Sequence, residues 1–215
     1  MGKDVRKMVL LSMIAAVAYI MVALIRIPVV LFLSYEPKDV VITIGGFLFG
    51  PVAAFIVSFV VSLVEMFTIS GTGIIGAIMN LLSTCAFACT ASVIYKKKHD
   101  LWGAVLGLLA GAVAMIGIML LWNWLITPMY MGVPREQITG MLVPVFLPFN
   151  ALKAGLNTAL VLGLYKPLTT ALRKARLLPE RKQAKKGQQK IGVYLLAAGL
   201  LATCVVLLLV FRGII

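Results

Sequence analysis

Asn150, Lys153 and Asn157 are spaced i, i+3, i+7, which puts an amide, an ammonium and a second amide on one face of a helix. Such a face carries hydrogen-bond donors and acceptors but no nucleophile, so its chemistry is recognition of a polar molecule. Leu147-Pro148-Phe149 precedes it, with a proline near the helix start, where its missing N–H costs least. Two plainer roles compete: snorkelling of Lys153 toward an interface, and ordinary amide bonding between helices by Asn157. Trp122-Asn123-Trp124 and Thr127 close an earlier apolar run. An aromatic belt explains one of the two tryptophans, because neighbours on a helix point in different directions. Asn123, deep in a span, needs a partner, and Asn80 is either that partner or glue between helices. Asp39 opens another run and Glu65 lies near the end of the next. Glu65 has three candidate states: paired with Arg26, paired with Lys153, or neutral at the water boundary.

The absences narrow the chemistry further. The sequence contains no G-x-x-x-x-G-K-[ST] loop for nucleotide phosphates. Its one histidine, His99, sits in a basic stretch without zincin or triad context. No pair of carboxylates is placed for acid–base work, so no catalytic residue, no metal site and no enzymatic activity are expected. Cys85 and Cys89 lie four apart on one helix face and read, with Cys204, as small apolar residues rather than redox or metal groups. What remains suits a pocket of amides, hydroxyls and aromatics around a mostly uncharged ligand.

These polar groups sit in a chain that is 62% hydrophobic and 13% charged, with a mean hydropathy of +1.07. Soluble domains carry roughly 25% charged residues. So apolar a surface must be solvated by lipid, and each polar side chain inside it is a functional candidate. The net charge of +13 does not indicate nucleic acid, because the cations fall between apolar spans: Lys3, Arg6 and Lys7; Lys96 to Lys98; and Lys166 to Lys190. That is the pattern of cytoplasmic loops.

A bilayer core takes about 20 apolar residues per helix. The first run, Met8 to Val30, starts like a signal peptide but has no clear cleavage site, and is read as a retained helix. Leu33 to Asp39 is a polar loop. Val40 to Ile69 is too long for one span and slightly short for two; charge decides it. A single helix would place Lys96 to Lys98 outside, whereas a break at Gly50-Pro51 keeps all three basic clusters in the cytoplasm. Further spans are expected from about Ile74 to Tyr95, Trp102 to Thr127, and Pro148 to Tyr165. An amphipathic tail to Leu178, a charged linker and a last span, Ile191 to Phe211, complete the chain. The expected architecture is an all-α integral membrane protein: 1–178 a six-helix ligand-binding domain, 179–190 a basic cytoplasmic linker, and 191–215 a seventh transmembrane helix. The N-terminus would then be cytoplasmic and the C-terminus exterior.

Several separated segments resemble one family. Tyr35-Glu36-Pro37-Lys38-Asp39-Val40-Val41, the Gly46-Phe47-Leu48-Phe49-Gly50-Pro51 break, Trp122 through Gly132, and Leu147-Pro148-Phe149-Asn150-x-x-Lys153 look like the riboflavin-specific substrate-binding subunit (S component) of energy-coupling factor (ECF) transporters. The likeness covers about residues 5–178. It implies a six-helix S-component fold with riboflavin held near the exterior, as substrate and not as cofactor. Asn123, Asn150, Lys153 and Asp39 are carried over as flavin or ribityl ligands. With the polar groups read above, the expected site is Asp39, Asn80, Trp122, Asn123, Thr127, Asn150 and Lys153, with Tyr35, Glu65 and Asn157 as secondary members. The resemblance further implies a membrane coupling subunit and two cytoplasmic ATPases, docking on a small-residue stripe of the first helix. Ser12, Ala15 and Ala16 supply such a stripe here, without a clean three-alanine repeat. An S component for another vitamin and a self-sufficient ion-coupled permease using Glu65 are the competing readings. The seventh helix has no counterpart in the basic fold.

Overall fold

The computed structural model describes residues 3–174 and 191–211. The expected linker 179–190 and the chain end after Phe211 lie outside the described residues. Helix α1 (Lys3–Leu24) stops earlier than its apolar run. Pro28 disfavours helix in the residue before it, and the β-branched Ile27, Val29 and Val30 favour extended backbone. The end of the expected first span is therefore a strand: β1 (Ile27–Val30) pairs antiparallel with β2 (Leu33–Tyr35). Leu31, at the turn of this hairpin, has φ 51°, a left-handed conformation that a leucine adopts only under constraint.

The Gly50-Pro51 break is present. Helix α2 (Lys38–Phe49) ends at Gly50, whose φ of 95° suits glycine, and Pro51 starts α3 (Pro51–Thr68) at a position that needs no N–H donor. Helices α4 (Gly73–Lys97) and α5 (Leu101–Leu125) follow. Lys96 and Lys97 occupy the last turn of α4, favourably for its dipole, and Asp100 caps α5 by accepting from Gly103 N at 2.6 Å. The expected exterior loop after Thr127 is largely helical. It comprises α6 (Thr127–Met131), α7 (Arg135–Met141) and a π-helical turn, Leu142–Phe146. The last of these runs directly into α8 (Leu147–Lys174), which continues through Pro167 rather than ending there. Helix α9 (Ile191–Phe211) is the last element.

Five described helical runs are long and apolar enough to cross a bilayer: α1, α3, α4, α5 and the continuous run from α7 into α8. Large apolar side chains such as Phe55, Phe59, Leu109 and Val113 point outward, as a lipid solvent requires. Short α2 is the centre of the bundle: nine of its twelve residues are buried, and it touches α1, α3, α4 and α8. The tightest pair is α4 with α5. A Cβ on Gly107 would stand 2.7 Å from the Ala91 carbonyl oxygen, and one on Gly111 2.6 Å from that of Phe87. Small residues four apart let these backbones meet, as is common inside membranes.

Candidate functional site

The hairpin, the first turn of α2, the ends of α3 and α5, the start of α4 and the start of α8 converge at one end of the bundle. Two ion clusters lie there, both buried. Asp39, fully buried, receives the Thr84 hydroxyl at 2.6 Å, the Asn157 amide at 3.2 Å and the Lys153 ammonium at 3.2 Å. Lys153 also donates to Ser83 Oγ at 3.3 Å, and the Tyr35 hydroxyl donates to Asn157 Oδ1 at 3.2 Å. Burial, with Asp39 and Cys204 adding less, holds the Tyr35 phenol above its ordinary range, so it remains a donor.

In the second cluster Lys38, 1% exposed, lies between Glu36 (2.8 Å) and Glu65. Arg26 Nε reaches Glu36 Oε1 at 3.3 Å from the partly exposed rim, and Asn80 donates to Glu65 Oε2 at 3.2 Å. Glu36 Oε2 has no well-angled hydrogen bond, yet 2.8 Å from Lys38 it still feels the full attraction of the ammonium, so the ion pair is the better description. Three carboxylates (Glu36, Asp39, Glu65) thus face three cations (Arg26, Lys38, Lys153). The wall they build is charge-balanced.

Arg26, Glu36, Asn80, Ser83, Asn123, Asn150 and Lys153 line a cleft together with Phe32, Phe149, Met79 and Met119. It encloses about 500 Å³, solvent-open space included. A second, apolar cleft of about 240 Å³ shares Phe32, Thr72 and Met79 with it and is walled by Trp122, Thr127 and Tyr130. Two of the cleft's three amides are held by the backbone four residues earlier, Asn123 donating to Met119 O at 2.8 Å and Asn150 to Phe146 O at 2.7 Å. Thr127 donates to Asn123 Oδ1 at 2.9 Å, so Asn80 is not the partner of Asn123. The side chains are fixed before any ligand arrives, which lowers the ordering entropy that binding costs.

Of the expected primary site residues, Asn80, Asn123, Asn150 and Lys153 line the polar cleft, and Trp122 and Thr127 line its apolar neighbour. Asp39 belongs to the charged wall but does not line the cleft, to which Lys153 links it. Tyr35 and Asn157 stand behind Asp39. Glu65 adopts none of the three states open to it in the sequence: its cation is Lys38. Trp124 is the tryptophan that turns away, lying under Arg135 at 5.1 Å. Lys38 and Glu36 were hidden within what reads as a polar loop. The signal was present, since Glu36-Pro37-Lys38-Asp39 sets alternating charges at the start of an apolar helix, where they cannot all reach water. Ser12 and Ala16 line an exposed groove on α1, while Ala15 packs partly inward.

The fold and the cleft define a multi-pass membrane protein with a polar cleft of small-molecule size and no catalytic constellation among its described residues. The family model for the substrate-specific component of ECF transporters matches residues 6–165, and the chain belongs to that family. It is a transport subunit and not an enzyme. It is similar to the riboflavin transporter RibU of Staphylococcus aureus (strain TCH60), 25% identical over 178 residues, or 79% of this chain and 93% of the relative. It is also similar to the riboflavin transporter FmnP of Bacillus subtilis (strain 168), 26% identical across 69% of this chain and 84% of the relative. A solved structure described as the S component of a bacterial ECF transporter superposes with a TM-score of 0.69 at 25% identity. It covers 80% of this chain and 99% of that one.

Proposed function

We propose that this chain is the riboflavin-binding S component of an ECF transporter, capturing the vitamin at the exterior face for ATP-driven uptake. The observation that carries the reading is the charge-balanced wall bearing fixed amides and one paired lysine beside an apolar cleft. The charged groups that line the cleft, Arg26, Glu36 and Lys153, are each paired with an opposite charge, so an ionic ligand would find no unpaired charge to meet. A flat ring with a polar edge and a hydroxylated chain finds aromatic and methionine surface on one side and Asn80, Asn123, Asn150 and Lys153 on the other. Two relatives named as riboflavin transporters support the choice of vitamin. The site residues are Asn80, Asn123, Asn150 and Lys153 in contact with the ligand, Trp122 and Thr127 against its apolar part, and Asp39, Tyr35 and Asn157 in support. No cofactor takes part.

In this reading the N-terminus is cytoplasmic, which places Lys96 to Lys98 on the same side and the cleft outside. The groove at Ser12 and Ala16 receives the membrane coupling subunit, and two cytoplasmic ATPases supply the energy. An ion-coupled permease needs a carboxylate that exchanges protons with water, and Glu65, 3% exposed against Lys38 and Asn80, is poorly placed for that.

Purification without added ligand tests the reading. A yellow preparation with flavin fluorescence, or an apoprotein that quenches added riboflavin, is the expected result. A colourless protein that leaves riboflavin fluorescence unchanged overturns it. Asn150→Ala and Lys153→Ala should each weaken binding by about 1–3 kcal/mol, as for a lost buried polar contact. Unchanged affinity in both removes them from the pocket.

A further inference from the structure

Helix α9 lies beyond the residues that the family model matches, yet it packs onto the elements that carry the cleft. It touches α8 and strand β1. Ala197, Leu200, Cys204 and Leu208 fall on one face, at i, i+3, i+7 and i+11, and that face is turned inward. Cys204 is 5% exposed and belongs to the same apolar cluster as Val29, Leu33 and Tyr35 of the hairpin, with Leu200 and Leu208 packed against that cluster. On the opposite side Leu195, Val206 and Val210 are exposed, as for a lipid-facing surface.

Helices α8 and α9 come close at Gly155 of α8. A Cβ there would stand 2.7 Å from Cys204 Sγ, nearer than such atoms come without something shifting. Gly155 lies between Lys153 and Asn157, so α9 presses on α8 at the turn that serves the cleft. From Tyr35, in the same apolar cluster as Cys204, hydrogen bonds and an ion pair run through Asn157 and Asp39 to Lys153, which lines the cleft.

We infer that α9 is a positioning element of the ligand site: by packing on Gly155 and the hairpin it holds Tyr35, Asn157 and Lys153 in register and slows release of the bound molecule. The inference rests on the riboflavin reading only for its choice of ligand. Its mechanism is mechanical. If α9 is displaced, the hairpin loses one wall and the Tyr35–Asn157 bond loses its backing, so Lys153 is held less firmly against a bound molecule although no residue that contacts it has been replaced.

The test uses the full chain in lipid nanodiscs. Riboflavin association and dissociation are followed by stopped-flow fluorescence, and hydrogen exchange of residues 27–35 is measured without ligand. Gly155→Leu wedges α9 away and should raise the dissociation rate by about ten-fold, with the association rate and the fraction of active protein unchanged. Gly155→Ala should raise it less, and adding Cys204→Ala, which deletes the clashing sulfur, should bring it back toward the original value. If Gly155→Leu does not fold, the Leu200→Ala, Leu208→Ala pair removes bulk and adds none, and should also speed release. Faster hydrogen exchange at 27–35 should accompany every change in rate. Unchanged dissociation and exchange in the variants that fold would overturn the inference. If the original protein binds no riboflavin, the ligand reading fails by itself, and hydrogen exchange alone decides on α9. Faster exchange in the wedge or leucine variants upholds its role, and unchanged exchange sinks it.

Discussion

At the scale of single residues, the buried charges decide which substitutions matter. Lys38→Met leaves Glu65 without its cation in a site that water barely reaches, while Glu36 keeps Arg26. Removing one partner of a buried pair typically costs about 3–5 kcal/mol, most of it the penalty on the orphaned charge. Thermal unfolding in detergent should therefore drop sharply for Lys38→Met and recover in part when Glu65→Gln is added. Equal melting of the single and double variants would show that Glu65 is not the group Lys38 balances. Asp39→Asn makes a second test. It keeps the shape but leaves buried Lys153 without its carboxylate, so riboflavin affinity should fall by about ten-fold and the melting temperature should fall with it, as for Lys38→Met. Helical spacing alone sets Asn150 and Lys153 on one face, which made the pair legible in the sequence, and both line the cleft. The sequence could not show the partner of Glu65. Choosing among Arg26, Lys153 and Lys38 depends on how the first turn of α2 seats Lys38 against α3, and neither spacing nor hydropathy encodes that contact.

At the scale of elements, local rules located most boundaries and failed where a tertiary contact overrode them. Gly50-Pro51 was decisive because its meaning is local: a left-handed residue, then one without an N–H. The early end of α1 was harder to see, because Ile27 to Val30 is as apolar as the helix before it and hydropathy cannot separate strand from span. Pro28 was the overlooked signal. Pro167 misled in the other direction: it reads as a helix end, yet α8 carries on to Lys174. The glycines of α5 show how much packing hides in composition. Gly111 faces the Phe87 carbonyl at close range, whereas Gly117 on the same helix meets nothing within 4 Å. Gly111→Leu should therefore separate α4 from α5 and destabilise the protein by about 1–3 kcal/mol or more, with Gly117→Leu close to neutral. Comparable melting temperatures for the two would contradict the close packing of α4 and α5.

At the scale of the whole molecule, the proposed ligand cleft occupies one end of the bundle, and the flank of α1 is the surface proposed for coupling. Helix α1 packs inward through Ala18 and Val22, both almost fully buried, while Ser12, Met13, Ala16 and Val17 remain exposed along one side. The groove at Val5, Met8, Val9, Ser12, Met13 and Ala16 has a small-residue floor and apolar walls, the combination that lets another helix approach closely in lipid. It shares no residue with either cleft at the ligand end. Binding and coupling should therefore separate cleanly. Ala16→Leu together with Ser12→Leu fills the floor of the groove without touching the cleft. Riboflavin affinity of the purified variant should match that of the unaltered chain. Uptake in cells that supply the coupling subunit and ATPases should fall by about ten-fold or more, because a leucine in place of a small residue holds two helices apart. Loss of affinity alongside uptake would mean that α1 supports the cleft itself. Full uptake would move the docking surface to another flank, and exposed Phe55 and Phe59 on α3 would be the next positions to fill.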